Sequence, residues 1–387
     1  MRVSSFIRWV FFILVALTFF FFEAALVYRS IFLGCLLLLY VSIVGKVDML
    51  IIIYIIFAIF YMFFLLINQP DETLRIFSIF YPIFCYFLGS QVGKNVVDSK
   101  QLLSVVYIFS FASAFYYIIS IGVDIYTNGF LGNGRSINLL LSDDNYAKSA
   151  TVIGGNFTAL IAFLALIFIS KNKIKYILTG LMIGYFSLRL GSRTQLLLLF
   201  LTIIVGYILS SKILSVTKKA VYLVSSSLAM IYLVYYVLEK TEYAFFFEDR
   251  MDSNTHGVGS FGGRTDIWSE AISLLWKKPF GWTPQDMTTA QFAHNLWLDV
   301  YKNGGIISFI MFLVFTILVV KKIIISYQFF NNIEMKIFIV SFCLVNLILF
   351  NMEPILDGFI FPFSIFLFTV GIIYSFSNSV GVSRKCT

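Results

Sequence analysis

Apolar runs of about 20 residues recur along this chain, each long enough to cross the ~30 Å hydrocarbon core of a bilayer as a helix. The runs are continuously apolar rather than alternating, which predicts a helical membrane protein and not a β-barrel. Of the 387 residues, 60% are hydrophobic and only 12% charged, a balance that excludes an ordinary soluble domain. The expected fold is therefore all-α, a single integral membrane domain over 1–387 with about 12 transmembrane helices. The expected spans are 6–23, 27–44, 49–68, 74–92, 102–122, 149–170, 174–190, 194–211, 219–238, 303–320, 335–350 and 357–376. The N-terminal run follows Arg2 and Arg8 as a signal sequence does, but it lacks a small-residue cleavage site and reads as a retained first helix.

The formal charge of +8 needs no nucleic acid to explain it. With both termini on the cytoplasmic side, roughly 16 basic residues fall on inner connectors and 12 on outer ones, a modest positive-inside bias. The inner set includes Lys94, Lys100, Lys171, Lys173, Lys175, Lys321 and Lys322. The outer exceptions gather at Arg135 and Lys148, at Arg189 and Arg193, and between 250 and 302. Arginines held on the disfavoured side need a reason, and an anionic ligand supplies one.

Two outer loops are long enough to hold a site. The first, 124–147, carries the turn signals Asn128-Gly129, Gly132-Asn133-Gly134 and Ser142-Asp143-Asp144-Asn145. The second, 239–293, is the main candidate for the active site. Within it, 265–276 reads as a helix with Asp266 in its first turn, Ile267, Ala271 and Leu274 on one apolar stripe, and Pro279 and Gly281 past its end. Trp268, Trp276 and Trp282 at its margins predict that it lies along the membrane interface.

Candidate residues follow from chemistry. Arg189 and Arg193 are four apart, so on a continuous helix two planar guanidinium groups would share a face suited to a pyrophosphate; snorkelling to lipid phosphates is the plainer explanation. Arg264 follows Gly262-Gly263 and precedes a helix start whose free N–H groups also favour an anion; pairing with Glu248, Asp249 or Asp266 is its alternative. His294 is one of two histidines, the other being His256, and stands at the entry to a span beside Asn295, Asp299 and Lys302. A histidine there can take a proton from a hydroxyl nucleophile, or can simply be an interfacial polar residue. Arg135, Asn145 and Arg250 can bind sugar hydroxyls or be turn chemistry only.

Other chemistries find little support. Cys35, Cys85, Cys343 and Cys386 lack metal-ligand spacing, and neither a metal nor a cofactor is expected. Asp143-Asp144 and Glu248-Asp249 are faint echoes of an acidic metal motif. Few acidic residues lie within spans, which disfavours an ion-coupled transporter; Asp357, beside Pro354, is the best candidate for such a role and looks peripheral.

Taken in order, Ser192-Arg193-Thr194 closing a span, Gly263-Arg264 and Trp268 in a large outer loop, Pro279-Phe280-Gly281-Trp282, His294-Asn295-Leu296 and the pair Gly304-Gly305 resemble the O-antigen polymerase (Wzy) and O-antigen ligase superfamily of bacterial inner-membrane glycosyltransferases. The resemblance is detailed over about 185–320 and general elsewhere. It implies a GT-C-like helical bundle, a periplasmic active site, and a metal-independent, inverting transfer of glycan from undecaprenyl pyrophosphate. The acceptor would be another lipid-linked repeat unit for a polymerase, or the lipid A core for a ligase. Besides these lipid-linked oligosaccharides and the membrane lipids, a chain-length regulator of the same pathway is an implied partner. On this resemblance Arg193 and Arg264, supported by Arg189, neutralise the departing pyrophosphate. His294 is the general base, and Trp268 and Trp297 stack on sugars or anchor the interface. Polymerase is the first expectation, because the chain is rich in Phe, Ile, Tyr and Lys and poor in Ala and Pro, as chains from A/T-rich polysaccharide gene clusters are. Ligase is the near alternative, and a transporter of lipid-linked glycans the third.

Overall fold

The computed structural model describes residues 48–69, 76–130, 136–140, 147–210, 264–289, 292–358 and 360–385, with a few positions between 217 and 232. The two N-terminal spans, most of the span expected over 219–238, and loop residues 239–263 lie outside the described residues.

The elements are α1 (Met49–Asn68), α2 (Tyr81–Lys94), α3 (Ser99–Asn128), β1 (Ser136–Asn138), β2 (Ala147–Ser149), α4 (Ala150–Gly155), α5 (Thr158–Ala162), α6 (Lys173–Arg189), α7 (Arg193–Leu209), α8 (Arg264–Lys277), α9 (Leu296–Phe329), α10 (Ile333–Met352), α11 (Ile355–Gly358) and α12 (Phe361–Lys385). The protein is an all-α membrane protein. Among the described residues, five helices are long and apolar enough to cross a membrane: α1, α3, α9, α10 and the Phe361–Val380 part of α12. Short polar side chains start them. Asp48, Asp98, Asn295 and Asn332 each accept a hydrogen bond from a first-turn backbone N–H, satisfying donors that have no partner within the helix.

Lipid tails are as apolar as leucine, so helices in a bilayer gain little by hiding apolar surface from one another and depend on close contact. The tightest contact uses glycine. Gly89 and Gly93, one turn apart on α2, face the backbone of α12, where a Cβ would lie 2.0 Å from the Phe368 carbonyl oxygen and 2.2 Å from that of Ile372. Gly371 returns the favour, with the Tyr86 carbonyl oxygen 2.3 Å from where its Cβ would sit. A hydrogen bond of 2.6 Å between the Ser90 and Ser375 hydroxyls adds to the seam. Gly93→Val must push the two helices apart, so it should lower the unfolding temperature in detergent and cost on the order of 3 kcal/mol. A melt indistinguishable from wild type would contradict this packing. Elsewhere aromatic rings fill the seams, as where Tyr54 and Phe57 of α1 meet Phe315 and Phe312 of α9 at centroid distances of 4.9 Å each.

The structure corrects several sequence expectations. The loop expected from 124 begins later: α3 continues to Asn128, is stopped by Gly129 at φ 77°, and buries Asp124. The loop then forms a short antiparallel pair, with Ser136 opposite Ser149 and Asn138 opposite Ala147. The span expected over 149–170 is not one helix. It breaks after Gly154-Gly155, where the Asn156 side chain bonds back to the Val152 carbonyl at 2.8 Å, and ends as a 3₁₀ segment, Phe163–Phe168. Non-helical backbone at this depth survives because it is enclosed. Gln195 of α7 packs on Gly154, and Gly206 of α7 packs on the Ala165 backbone, in the same order along both segments. Helix α9 starts seven residues before the expected span, at Leu296, and carries Gly304-Gly305 inside it as a break.

Candidate active site

Four helix ends meet at one place: the N-termini of α7, α8 and α9 and the C-terminus of α10. Three of these ends are helix N-termini, whose dipoles favour an anion, although Asn295 already accepts from the Trp297 and Leu298 N–H groups of α9. Arg264, the first residue of α8, adds a guanidinium. Its Nη2 lies 3.5 Å from Glu353 Oε1 and its Nη1 lies 3.1 Å from the Met352 sulfur. Glu353, just past the end of α10, is buried and also accepts a hydrogen bond of 3.0 Å from the Thr194 hydroxyl on the first turn of α7. One carboxylate thus joins three helices. The Arg264 side chain stays 22% exposed, so it can still meet a ligand.

His294 stands between α8 and α9. Its φ of 51° makes it a non-glycine residue in the left-handed region, a conformation kept only where the surroundings impose it. The next residue, Asn295, caps α9 by accepting from Trp297 and Leu298 N–H, and its amide donates to Asn351 of α10 at 2.9 Å. Among the described residues, His294 Nδ1 is buried without a hydrogen-bond partner. Burial, the Arg264 charge and the Lys302 charge, in that order, push the imidazole down to about 4. The ring is therefore neutral at physiological pH and able to accept a proton.

A second element supports this corner. Gly305 interrupts α9 with φ 65° and ψ −174°, freeing backbone groups in its interior. The segment after α8 fills the gap: Trp282 N–H donates to the Lys302 carbonyl at 2.9 Å, and Ile306 N–H donates to the Pro279 carbonyl at 2.9 Å. Asn68 of α1 donates to the Phe280 carbonyl at 3.0 Å. Pro279-Phe280-Gly281-Trp282 and Gly304-Gly305, separate pieces of the sequence pattern, are two halves of one backbone joint. Beneath it, Ile267, Ala271, Trp282, Met287, Ala293 and Tyr301 form a small apolar core. Glu270 ties the loop down by accepting from the backbone and side chains of Thr288 and Thr289; the Thr289 hydroxyl is the leading cause holding its carboxyl down to about 2.

The other sequence candidates fall as follows. Arg193 opens α7 and is exposed, next to Thr194. Arg189 does not share a continuous helix with it. Gly191 at φ 58° stops α6, with Ser192 N–H bonding back to the Ser187 carbonyl at 3.0 Å, and α7 starts afresh. Arg189 is buried in an ion pair with Asp124 of α3. Trp268 donates its indole N–H to the Ala293 carbonyl at 2.9 Å, Trp276 is exposed, and Trp282 is buried rather than at the interface. Arg135, Asn145, Arg250, His256 and both acidic pairs lie outside the described residues. The partners of Arg264 proposed from sequence, Glu248 and Asp249, lie there too, and Asp266 is exposed; among the described residues the carboxylate that pairs with Arg264 is Glu353. Glu353 and Asn351 are not among the residues expected from sequence, which include Asp357 nearby. An acidic residue directly before Pro354 at the end of an apolar run was the available signal.

Arg264 and a neutral imidazole thus meet where the ends of four helices come together in an all-α membrane protein. Residues 177–313 match the family model described as O-antigen ligase, consistent with the O-antigen polymerase/ligase superfamily, a family associated with glycosyltransferase-like activity. The matched stretch holds Arg189, Arg193, Arg264, Trp268, His294 and Asn295, while Asn351 and Glu353 lie beyond it. A search of curated proteins returned no match.

Proposed function

We propose that the protein is an O-antigen polymerase, transferring a growing glycan from undecaprenyl pyrophosphate to a lipid-linked repeat unit at the periplasmic face of the bacterial inner membrane. The observation that carries this reading is the meeting of Arg264, the neutral His294 and three helix N-termini at one point. In the reaction His294 takes the proton from the acceptor hydroxyl as its oxygen attacks the anomeric carbon, and the C–O bond to the pyrophosphate breaks. Arg264 and Arg193 meet the charge growing on the departing pyrophosphate, so they act chiefly on the transition state. An apolar groove of about 300 Å³ starts at Leu296 and Trp297, beside His294, and runs between α9, α10 and α12 past Phe312, Phe350 and Phe366. An apolar groove whose lining begins two residues after His294 suits a donor carried on a polyprenyl chain. Ligation to the lipid A core is the second reading, favoured by the description of the family model that matches.

The two separate on a gel. A strain deleted for the gene, showing lipopolysaccharide core bearing a single repeat unit, would support the polymerase, since ligation still works. Core without any repeat, together with accumulated long lipid-linked polymer, would replace it by the ligase.

The His294 value sets the expected pH response. The acid limb of kcat/KM, which reports the free enzyme, should lie near 4 and not near the usual 6.5. The kcat limb should lie higher, because a bound pyrophosphate offsets the Arg264 charge. Neutral His294 also links to stability. Its folded value is below the unfolded one, so the stability it protects is complete above pH ~6.5 and declines as pH falls toward 4. A kcat/KM limb at 6.5 would show that burial and the two cations do not lower the imidazole, whereas an acid limb unchanged in His294→Gln would remove His294 as the base. EDTA should leave transfer unchanged; inhibition reversed by Mg²⁺ would bring back the acidic pairs.

A further inference from the structure

We propose that Trp268 and Asp299 are positioning residues for His294, acting through Ala293, to which both of them bond. This rests on the reading of His294 as the base. Ala293 is fully buried. Its N–H donates to Asp299 Oδ1 at 2.9 Å, and its carbonyl accepts the Trp268 indole N–H at 2.9 Å. Both backbone polar groups of the residue before His294 are therefore taken by side chains, one from α9 and one from α8. The residue after it, Asn295, is fixed as the cap of α9. Held on both sides, His294 keeps its left-handed backbone and has only side-chain torsions left to vary.

The connection has a consequence for geometry. Trp268 lies one turn after Arg264 on the same helix. The indole bond therefore sets the spacing between the cation that meets the leaving group and the imidazole that takes the acceptor proton. Asp299 does the same from the first turn of α9 and is completely buried. Among the described residues, the charged groups about His294 are Arg264 from α8, Asp299 and Lys302 from α9 and, through Arg264, Glu353 after α10. An indole used as a donor to the residue before the base also differs from a sugar-stacking platform or an interface anchor, the two roles the family resemblance implies.

Trp268→Phe separates these roles, because it keeps an aromatic ring and removes the N–H. In the full-length protein, kcat should fall by about 10-fold with KM for both lipid-linked substrates nearly unchanged, as small displacements of a catalytic group do. Asp299→Asn keeps an acceptor oxygen for Ala293 and should retain most of kcat, whereas Asp299→Ala should not. A readout independent of turnover uses a His256→Gln background, in which His294 is the only imidazole. There, Trp268→Phe should raise the rate of His294 modification by diethyl pyrocarbonate several-fold. A higher KM with kcat intact would instead make Trp268 a sugar platform and overturn the proposal. So would unchanged kcat with unchanged His294 reactivity. Full activity of His294→Ala would end the base assignment, while the modification rates would still decide whether Trp268 positions the ring.

Discussion

Arg264→Ala should lower glycan transfer by about 10²–10³-fold while the protein still reaches the membrane, the loss seen when one preorganised donor to a developing charge is removed. The effect belongs to kcat more than to KM, because the charge on the pyrophosphate grows as its bond to the sugar breaks. Arg264→Lys should recover only part of it. A lysine has one ammonium point, whereas the guanidinium spans Met352 and Glu353 and still exposes an edge. The loss of the ion pair leaves Glu353 buried without that cation, so some destabilisation is also expected, about 1 kcal/mol after allowing for the partial exposure of Arg264. Arg264→Ala with Glu353→Gln separates the two effects: the double variant should regain stability and stay inactive. Transfer assayed with purified lipid-linked substrate, alongside a thermal melt in detergent, measures both. Wild-type turnover by a folded Arg264→Ala protein would sink the site assignment.

Gly305→Val should be the most damaging single change in the described part of the chain. A valine at φ 65° is strained by its branched Cβ, and that Cβ would lie 2.8 Å from the Phe280 carbonyl carbon. The joint between Pro279–Trp282 and the break in α9 cannot form around it. The hydrogen bonds of Trp282 and Ile306 are then lost inside a low-dielectric region. A loss of roughly 3–5 kcal/mol is expected, with the unfolding temperature falling and transfer abolished. Gly281→Val should behave similarly, since its Cβ would meet the Lys302 carbonyl oxygen at 2.4 Å and its φ is 93°. Retention of the wild-type melt by either variant would show that the joint does not hold the loop.

The legible features were those coded by local sequence. Apolar runs marked α1, α6, α7 and α10 to within a few residues, because a bilayer forces every backbone group in such a run into helical hydrogen bonds. Helix α8 was legible from Asp266, its apolar stripe and Pro279. The stretch over 150–168 was misread as one helix because hydropathy records only apolarity. Its break depends on Gln195 and Gly206 enclosing it from another helix. The ion pair of Arg189 was not legible, because its positive charge is visible in the sequence and its partner is not. Asp124 lies far away in sequence and sat at the edge of an expected loop.

The sequence alone determined that this chain is helical and membrane-embedded, and which short polar motifs interrupt its apolar runs. The tertiary structure alone decided what those motifs do together: that Gly281 and Gly305 close one joint, that Glu353 joins Arg264 to Thr194, and that Ala293 is gripped by Trp268 and Asp299. The reason is physical. Helix formation in lipid is settled within a segment by its own hydrogen bonds, whereas a buried charge or an interrupted backbone is settled by whichever distant group supplies the missing partner.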